Sequence, residues 1–405
     1  MKALACLLGL CVLLGGQPKV IVPAGWAPPA GPYSPGVIAD GYLYVSGQGA
    51  KTPEGQMAET FEAQAQQAMN NVKAIVEAAG LTLDHVVYTH AYLEDISNSA
   101  ALDRVYARTF PKDPPARALI GVAHLPGTPV EINAVAALKR EGLTPVRVPG
   151  FDARQPFSAG MLTHDRLFIS SLPGRTASGT IPTDPASEVN AALDSFKAVT
   201  DAAGMSLAHV VFVNPYLTPS IPLSVMNDLY AKRFEFGNTP ARATISVSAL
   251  RAGHIVFTGV AVRDLSKRKA VRPKNMAPSP TASPCVFAGD TLYCSAKSGF
   301  MPGPHSGIYA ATVEHQMRQT MRNQLDNFEE AGLTFSDVVA ANVYLDSVED
   351  LGRMNAVYGQ YFQEGVKPAR TTVQQAASGK REPDANGGYP TLEQVSFVAV
   401  RPSSR

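Results

Sequence analysis

The triplet Pro-Ala-Arg occurs three times in this 405-residue sequence and places arginines at Arg117, Arg242 and Arg370. An arginine side chain ends in a planar fork that can hold a carboxylate through two parallel hydrogen bonds. The recurring arginine is therefore a candidate carboxylate-binding residue. A salt bridge between packed units, or a buried structural position, is the alternative that the triplet alone leaves open.

A carboxylate, Glu131, lies inside the apolar stretch PVEINAVA at 129–136. An unpaired charge on an apolar strand is costly, so this carboxylate should have either a partner or a function. The alternative is a carboxylate that faces solvent at the edge of a strand.

Other residue types that often carry chemistry show no catalytic spacing. The eight histidines form neither an HxxxH nor an HExxH pattern, and no glycine-rich phosphate loop follows a strand. No Ser/His/Asp arrangement can be argued. We therefore predict no metal and no nucleotide cofactor.

Two cysteines, Cys285 and Cys294, bound the segment CVFAGDTLYC, in which Gly289-Asp290 is typical of a two-residue hairpin turn. Counting outward from this turn places the cysteines opposite each other, close enough for a disulfide bond. An oxidising compartment would permit that bond. Two free, half-buried thiols are the alternative.

The N-terminal segment MKALACLLGLCVLLGG at 1–16 is typical of a secretory signal peptide, because one lysine precedes an apolar core and small residues follow it. We expect a secreted or periplasmic protein, with a buried or disordered apolar tail as the alternative. No later apolar run reaches the length of a membrane span. With 35 basic and 34 acidic residues, the net charge of +1 leaves no electrostatic footprint for nucleic acid or for a membrane surface.

The chain repeats one unit three times. The segment LTLDHVVYTHAYLED at 81–95 returns as MSLAHVVFVNPYLTP at 205–219 and as LTFSDVVAANVYLDS at 333–347. The spacing between these segments corresponds to a whole domain and is far too long for the repeat of a solenoid. We expect a solvated linker in the basic run at 266–275. The predicted division is a signal peptide at 1–16 and repeats at 20–140, 143–265 and 274–402.

Each repeat has the same order of predicted elements. In the first repeat they are a hairpin at 37–47, a helix at 61–79, a strand at 85–93, a helix at 97–110, and strands at 117–123 and 129–138. Strands and helices are interleaved, with hairpins at both ends of the unit. This order predicts an α+β fold in which two helices pack on one mixed sheet.

Four motifs in the first repeat, GPYSP (31–35), VSGQ (45–48), PPAR (114–117) and PVEINAVA (129–136), together resemble the RidA/YjgF-type reactive-intermediate (enamine/imine) deaminase family. The resemblance implies a chorismate-mutase-like fold, assembly as trimers, and ligand clefts between neighbouring protomers. A chain with three copies is then expected to close as its own pseudo-trimer. Separate trimerisation of each copy is the alternative, but short linkers favour closure.

The resemblance also implies roles for individual residues. Arg117 would hold the substrate carboxylate, Glu131 would orient a water, and Tyr33 would supply a hydroxyl, so these three are the predicted catalytic residues. The predicted substrate-binding residues are Ser46, Gly47, Arg242, Arg370, Asn227 and Asn355.

The second and third repeats have drifted from these motifs. The residues that we align with Glu131 are Phe257 and about Val395, and the second repeat has Phe157 in place of Tyr33. The first repeat departs once, because Asp103 stands where the family usually has asparagine. We therefore expect at most one or two competent clefts, and we rank Arg117 above Arg370.

The resulting functional hypothesis is hydrolysis of small 2-imino and enamino acids to 2-keto acids and ammonia. The partner would be a small imino or keto acid. A non-catalytic pseudo-trimer that binds small carboxylates or a protein partner is the alternative, because two repeats have drifted and export is unusual for imine chemistry. RNA cleavage, a label often attached to this family, is disfavoured by the neutral charge.

Overall fold

The computed structural model describes residues 17–302, 307–363, 365–376 and 379–402. The predicted signal peptide lies outside these residues. Within the part of the chain that the structure describes, no helix is both long enough and apolar enough to cross a membrane.

The first repeat forms one six-stranded mixed sheet with two helices. Its elements are β1 (Lys19–Ile21), β2 (Gly36–Ala39), β3 (Tyr42–Gln48), α1 (Phe61–Ala78), β4 (Val86–Leu93), α2 (Ser99–Thr109), β5 (Ala116–Gly121) and β6 (Val130–Ala137). The strand order is β1-β2-β3-β6-β4-β5, in which only β4 and β5 run parallel. The predicted α+β class and order of elements are confirmed, but the closing strands β5 and β6 do not form the predicted hairpin, because β4 lies between them.

The second and third repeats have the same architecture. The second comprises β7 (Thr144–Val146), β8 (Gly160–Leu162), β9 (Arg166–Pro173), α3 (Pro185–Ala202), β10 (Val210–Leu217), α4 (Leu223–Ala231), β11 (Ala241–Arg242), β12 (Ile245–Ser246) and β13 (Ile255–Val262). The third comprises β14 (Arg268–Val271), β15 (Cys285–Ala288), β16 (Thr291–Ser298), α5 (Val313–Ala331), β17 (Val338–Leu345), α6 (Leu351–Tyr358), β18 (Ala369–Gln374) and β19 (Glu393–Val400). In the second repeat, two short strands, β11 and β12, replace the single strand that follows the second helix elsewhere.

The basic run at 266–275, predicted as a linker, contains strand β14. This strand pairs with β15, so the sheet of the third repeat begins at Arg268, before the predicted boundary at residue 274. This strand lies at the edge of the sheet, where Lys269 is exposed to solvent, whereas the guanidinium of Arg268 donates to the backbone oxygens of Val210 and Asn238 in the second repeat. An exposed edge strand of this composition resembles a linker in sequence.

Helix α1 shows how local sequence sets these elements. Thr60 caps its N-terminus by accepting a hydrogen bond from the backbone N–H of Ala63. Gly80 follows its C-terminus with a φ of 78°, a conformation that glycine adopts without strain. Between these ends, one apolar face packs on the sheet of the first repeat. Its buried apolar residues are Ala65, Ala68, Met69, Val72, Ile75 and Val76.

The other face of each sheet packs against the neighbouring repeats. Tyr92, Tyr216 and Tyr344 occupy equivalent positions on β4, β10 and β17, and all three are buried in one shared cluster. Burial of such rings is a large source of stability. The three repeats therefore share apolar cores in addition to the separate core that each repeat has between its sheet and helices.

The Pro-Ala-Arg triplets lie at these contacts between repeats. The proline carbonyl of each triplet accepts a hydrogen bond from a backbone N–H of another repeat. The three bonds are Ser158 to Pro115 at 3.1 Å, Ser283 to Pro240 at 3.2 Å, and Ser34 to Pro368 at 3.1 Å. The arginine of each triplet consequently lies at a boundary between two repeats: Arg117 faces the second, Arg242 the third, and Arg370 the first.

Candidate active site

Arg370 and Glu131 meet in a cleft of about 400 Å³ between the third and first repeats. Arg370 lies on β18, whereas Glu131 lies on β6 and Tyr33 lies in the segment before β2. The guanidinium carbon of Arg370 is 5.4 Å from the ring centroid of Tyr33 and 4.9 Å from that of Tyr358. These two rings fix the guanidinium by cation–π contact while leaving its edge for a ligand.

Glu131 is a buried carboxyl group with an altered pKa. Burial raises its pKa to about 8, against the opposing effects of the backbone N–H of Thr372 and the charge of Arg370. Both protonation states are thus accessible near neutral pH. A carboxyl group of this kind can take a proton and return it within one reaction.

Gly47 makes room for this carboxyl group. A Cβ built at Gly47 would overlap the Oε1 atom of Glu131, so a larger residue would displace the carboxylate. Close approach of a functional group to the backbone is a common reason for glycine at such a position.

Three buried polar atoms in this cleft have no hydrogen-bond partner among the described residues. They are Nη1 of Arg370, Oδ1 of Asn355 and Oγ1 of Thr372. Buried polar groups in folded proteins are nearly always hydrogen-bonded, and each one left unpaired costs about 1–3 kcal/mol. Two donors and an acceptor are therefore available in this cleft to a polar ligand or to water.

Arg117, which the sequence ranked first, lies in another cleft and does not meet Glu131 or Tyr33. It belongs to a cavity of about 840 Å³ between the first and second repeats. Its Nη2 donates to Oδ1 of Asp103 at 2.7 Å, and the other oxygen of Asp103 is 2.7 Å from Nη1 of Arg251. Asp103 thus supplies Arg117 with a counter-charge, although Nη1 of Arg117, like that of Arg370, has no hydrogen-bond partner among the described residues.

Arg242 lies in the third cleft, a cavity of about 300 Å³ between the second and third repeats. Its Nη1 donates to Oδ1 of Asn227 at 2.8 Å, and its backbone N–H donates to Oγ of Ser295 at 2.8 Å. Asp103 and Asn227 therefore make the same kind of contact with the arginine of their own repeat. Asn355 leaves Arg370 without such a bond.

The alignment of Phe257 and Val395 with Glu131 is wrong by one residue. Tyr92 pairs with Glu131, and the equivalent tyrosines pair with Val256 on β13 and Gln394 on β19. Side chains alternate across a strand, so a shift of one residue exchanges the two faces. Phe257 and Val395 point into the cores of their own repeats. The third repeat consequently presents an amide, and not an apolar residue, where the first has a carboxyl group.

The remaining predicted residues are distributed as follows. Gly47 lines the cleft with Arg370, but Ser46 is buried beside it, and its hydroxyl accepts a hydrogen bond from Nε2 of Gln48 at 2.8 Å. Cys285 and Cys294 lie opposite each other on β15 and β16 and form a disulfide bond. Among the described residues, no three His, Cys, Asp or Glu side chains converge as a metal site.

Thr372 was not predicted as a site residue. It lies two positions after Arg370, so both side chains emerge on the same face of β18. The second repeat has Thr244 at this position, and the first has Leu119. The apolar residue in the first repeat is a sequence signal that its Pro-Ala-Arg triplet lacks the hydroxyl that the other two triplets have beside their arginines.

Comparison with known proteins gives consistent matches. The family model described as endoribonuclease L-PSP matches residues 25–138, 149–256 and 274–381, about four fifths of the chain. A RutC family protein of Saccharolobus solfataricus is 40% identical over 111 residues, which are 27% of this chain and 88% of that protein.

Crystal structures of single-copy proteins match about one repeat each. RidA from the Antarctic bacterium Psychrobacter sp. PAMC 21119 is 37% identical, covering 29% of this chain and 98% of its own, with a TM-score of 0.28. The YjgF gene product of E. coli is 35% identical, covering 30% of this chain and 99% of its own, with a TM-score of 0.29. E. coli TdcF with bound serine is 31% identical, with 29% and 98% covered and a TM-score of 0.29.

Proposed function

From the premise that the chain belongs to the endoribonuclease L-PSP family, with three tandem copies, we propose that it hydrolyses small 2-imino and enamino acids to 2-keto acids and ammonia. The reaction would take place in the cleft between the third and first repeats. The observation that carries this proposal is that Arg370, which has no ion pair among the described residues, shares a cleft with the buried carboxyl group of Glu131.

The proposed binding step uses the guanidinium of Arg370 as a clamp for the substrate carboxylate. Its unpartnered Nη1 and the hydroxyl of Thr372 supply donors inside the cleft. Charge-assisted bonds of this kind are about twice as strong as neutral ones. The clamp would place C2 of the substrate beside Glu131.

The proposed hydrolysis begins when a water oxygen bonds to C2 of the protonated imine and the C=N π electrons move to nitrogen. The carboxylate of Glu131 takes a proton from that water and then gives it to the amino nitrogen. The C–N bond breaks as the hydroxyl oxygen loses its proton to Glu131 and forms C=O. Ammonia takes that proton and leaves as ammonium. A carboxyl pKa of about 8 suits a group that must both accept and donate.

Loss of 2-iminobutyrate tests this proposal directly. The imine is generated in situ with an amino-acid oxidase acting on 2-aminobutyrate, and its decay is followed with and without purified protein. We expect the protein to accelerate conversion to 2-oxobutyrate. Decay at the background rate would contradict the proposal.

Gly47→Ala is expected to lower imine hydrolysis by about a hundredfold, because the added Cβ displaces the carboxyl group of Glu131. Steady-state kinetics and a thermal melt separate this effect from loss of the fold. Gly352→Ala is the matched control, since a Cβ there meets nothing within 4 Å. Equal activities of the two variants would show that the position of Glu131 does not matter.

We also propose that the three repeats close on one another as an intrachain pseudo-trimer. The three equivalent backbone bonds of the Pro-Ala-Arg triplets support closure, because each boundary between repeats has one. Light scattering of the purified protein is expected to give the mass of one chain. A mass three times larger would favour separate trimerisation of each copy.

Finally, we propose that the chain is exported. The segment at 1–16 and the disulfide bond between Cys285 and Cys294 support this proposal.

A further inference from the structure

The cleft between the second and third repeats differs electrostatically from the other two. Arg242 and Lys297 both line it, and no aspartate or glutamate is among its described lining residues. The other two clefts each place a carboxyl group, Asp103 or Glu131, near their arginine. This cleft is therefore the one of the three with two cationic side chains and no acid to balance them.

Neither cation is neutralised elsewhere in the described part of the chain. The guanidinium of Arg242 bonds to the amide oxygen of Asn227 at 2.8 Å and forms no ion pair with a described residue. No described side chain pairs with the ammonium of Lys297, whose side chain is half-buried. Burial lowers the pKa of both groups, which is the direction expected of cations without a counter-charge.

Two neutral polar side chains, Thr244 and Gln394, also line this cleft. The hydroxyl of Thr244 is buried and has no hydrogen-bond partner among the described residues. Gln394 stands where the first repeat has Glu131, and its Nε2 donates to the backbone oxygen of Thr244 at 3.3 Å. An amide at this position adds no negative charge, so it does not oppose the entry of an anion.

We propose that this cleft binds a small organic dianion, a dicarboxylate, with one carboxylate on Arg242 and the other on Lys297. The planar fork of arginine suits one carboxylate, and the compact ammonium of lysine suits the second as a point charge. A monocarboxylate would leave one half-buried cation without a counter-charge. The absence of a carboxyl group at Gln394 makes this a binding site without hydrolysis, so the inference does not rest on the reaction proposed for the other cleft.

Titration calorimetry at low ionic strength tests the site with three probes: succinate, butyrate and inorganic phosphate. Succinate and butyrate have the same number of carbons and differ by one carboxylate. We expect the full chain to bind succinate about tenfold more tightly than butyrate, because one charge-assisted bond is worth about that factor. Equal affinities would overturn the proposal, and so would tighter binding of phosphate than of succinate.

Lys297→Gln tests whether the preference for succinate arises in this cleft. The substitution removes the ammonium and introduces the residue that the first repeat has at the equivalent position, Gln48. It is expected to reduce succinate affinity to that of butyrate. Lys197→Gln is the matched control, since Lys197 pairs with Asp201 on the exposed face of α3, and it is expected to bind succinate like the wild type. Arg242→Gln gives a second variant if Lys297→Gln does not fold. Retention of the succinate preference in both cleft variants would contradict the assignment, and no imine is present in the measurement.

Discussion

Arg370→Ala is expected to lower kcat/KM for 2-iminobutyrate hydrolysis by roughly a hundredfold or more. The guanidinium lies between the rings of Tyr33 and Tyr358, and its Nη1 has no partner among the described residues. Removal of the side chain would take away the proposed carboxylate clamp while Glu131 remained in place. Steady-state kinetics with imine generated in situ provide the measurement.

Arg117→Ala is the matched control, because it removes the same side chain from the same motif. Arg117 is held by Asp103 in a cleft that has Val256 where the cleft of Arg370 has Glu131. We therefore expect its loss to change hydrolysis by no more than a few fold, provided that a thermal melt shows the variant to be folded. A larger loss in Arg117→Ala than in Arg370→Ala would contradict this expectation and favour Arg117 as the substrate-binding arginine, as the sequence suggested.

Glu131→Gln is expected to lower kcat by about 10²–10⁴-fold, the usual contribution of a general acid or base. Glutamine has nearly the same shape, and its carbonyl oxygen can still accept from the backbone N–H of Thr372. It cannot take a proton from water. The loss would therefore report on proton transfer and not on packing.

The pH profile gives a second readout of the same residue. Burial raises the pKa of Glu131 to about 8, so below this pH the group is mostly protonated and cannot act as a base. The rate should rise with pH through about 8, and this limb should vanish in Glu131→Gln. Glu393→Gln is the matched control, because burial also raises the pKa of Glu393 to about 8 and this residue lies on β19 outside the three clefts. If the rise of the rate with pH disappeared in Glu393→Gln, the titrating group would be Glu393 and not Glu131.

The general architecture could be predicted from the sequence because its signals are local or repeated. The apolar face of α1, its ending before Gly80, and the recurrence of 81–95 all lie within short windows. The opposed cysteines followed from the turn at Gly289-Asp290, whose two-residue length sets the register.

The composition of the clefts could not be predicted, because it depends on contacts between repeats. The motif order within the first repeat suggested that Arg117 and Glu131 act together, yet the arginine of each triplet faces the next repeat. Asp103 departs from the family pattern in the sequence, but its simultaneous contact with Arg117 and Arg251 depends on the packing of the second repeat.

The position aligned with Glu131 was misplaced for a more local reason. In the third repeat, extra residues lie between β18 and β19, so a count from Arg370 does not reach the equivalent of Glu131. In the second repeat, Val256 follows Arg242 at the same spacing as Glu131 follows Arg117, so the displacement by one residue there has no insertion behind it. In a strand, one residue decides whether a side chain enters the cleft or the core.

A crystal structure of the protein with 2-oxobutyrate tests most directly whether the cleft between the third and first repeats is the active one. We predict that the keto acid lies in this cleft, with its carboxylate on the guanidinium of Arg370 and its C2 beside Glu131. Binding at Arg117, with the cleft at Arg370 empty, would contradict the account.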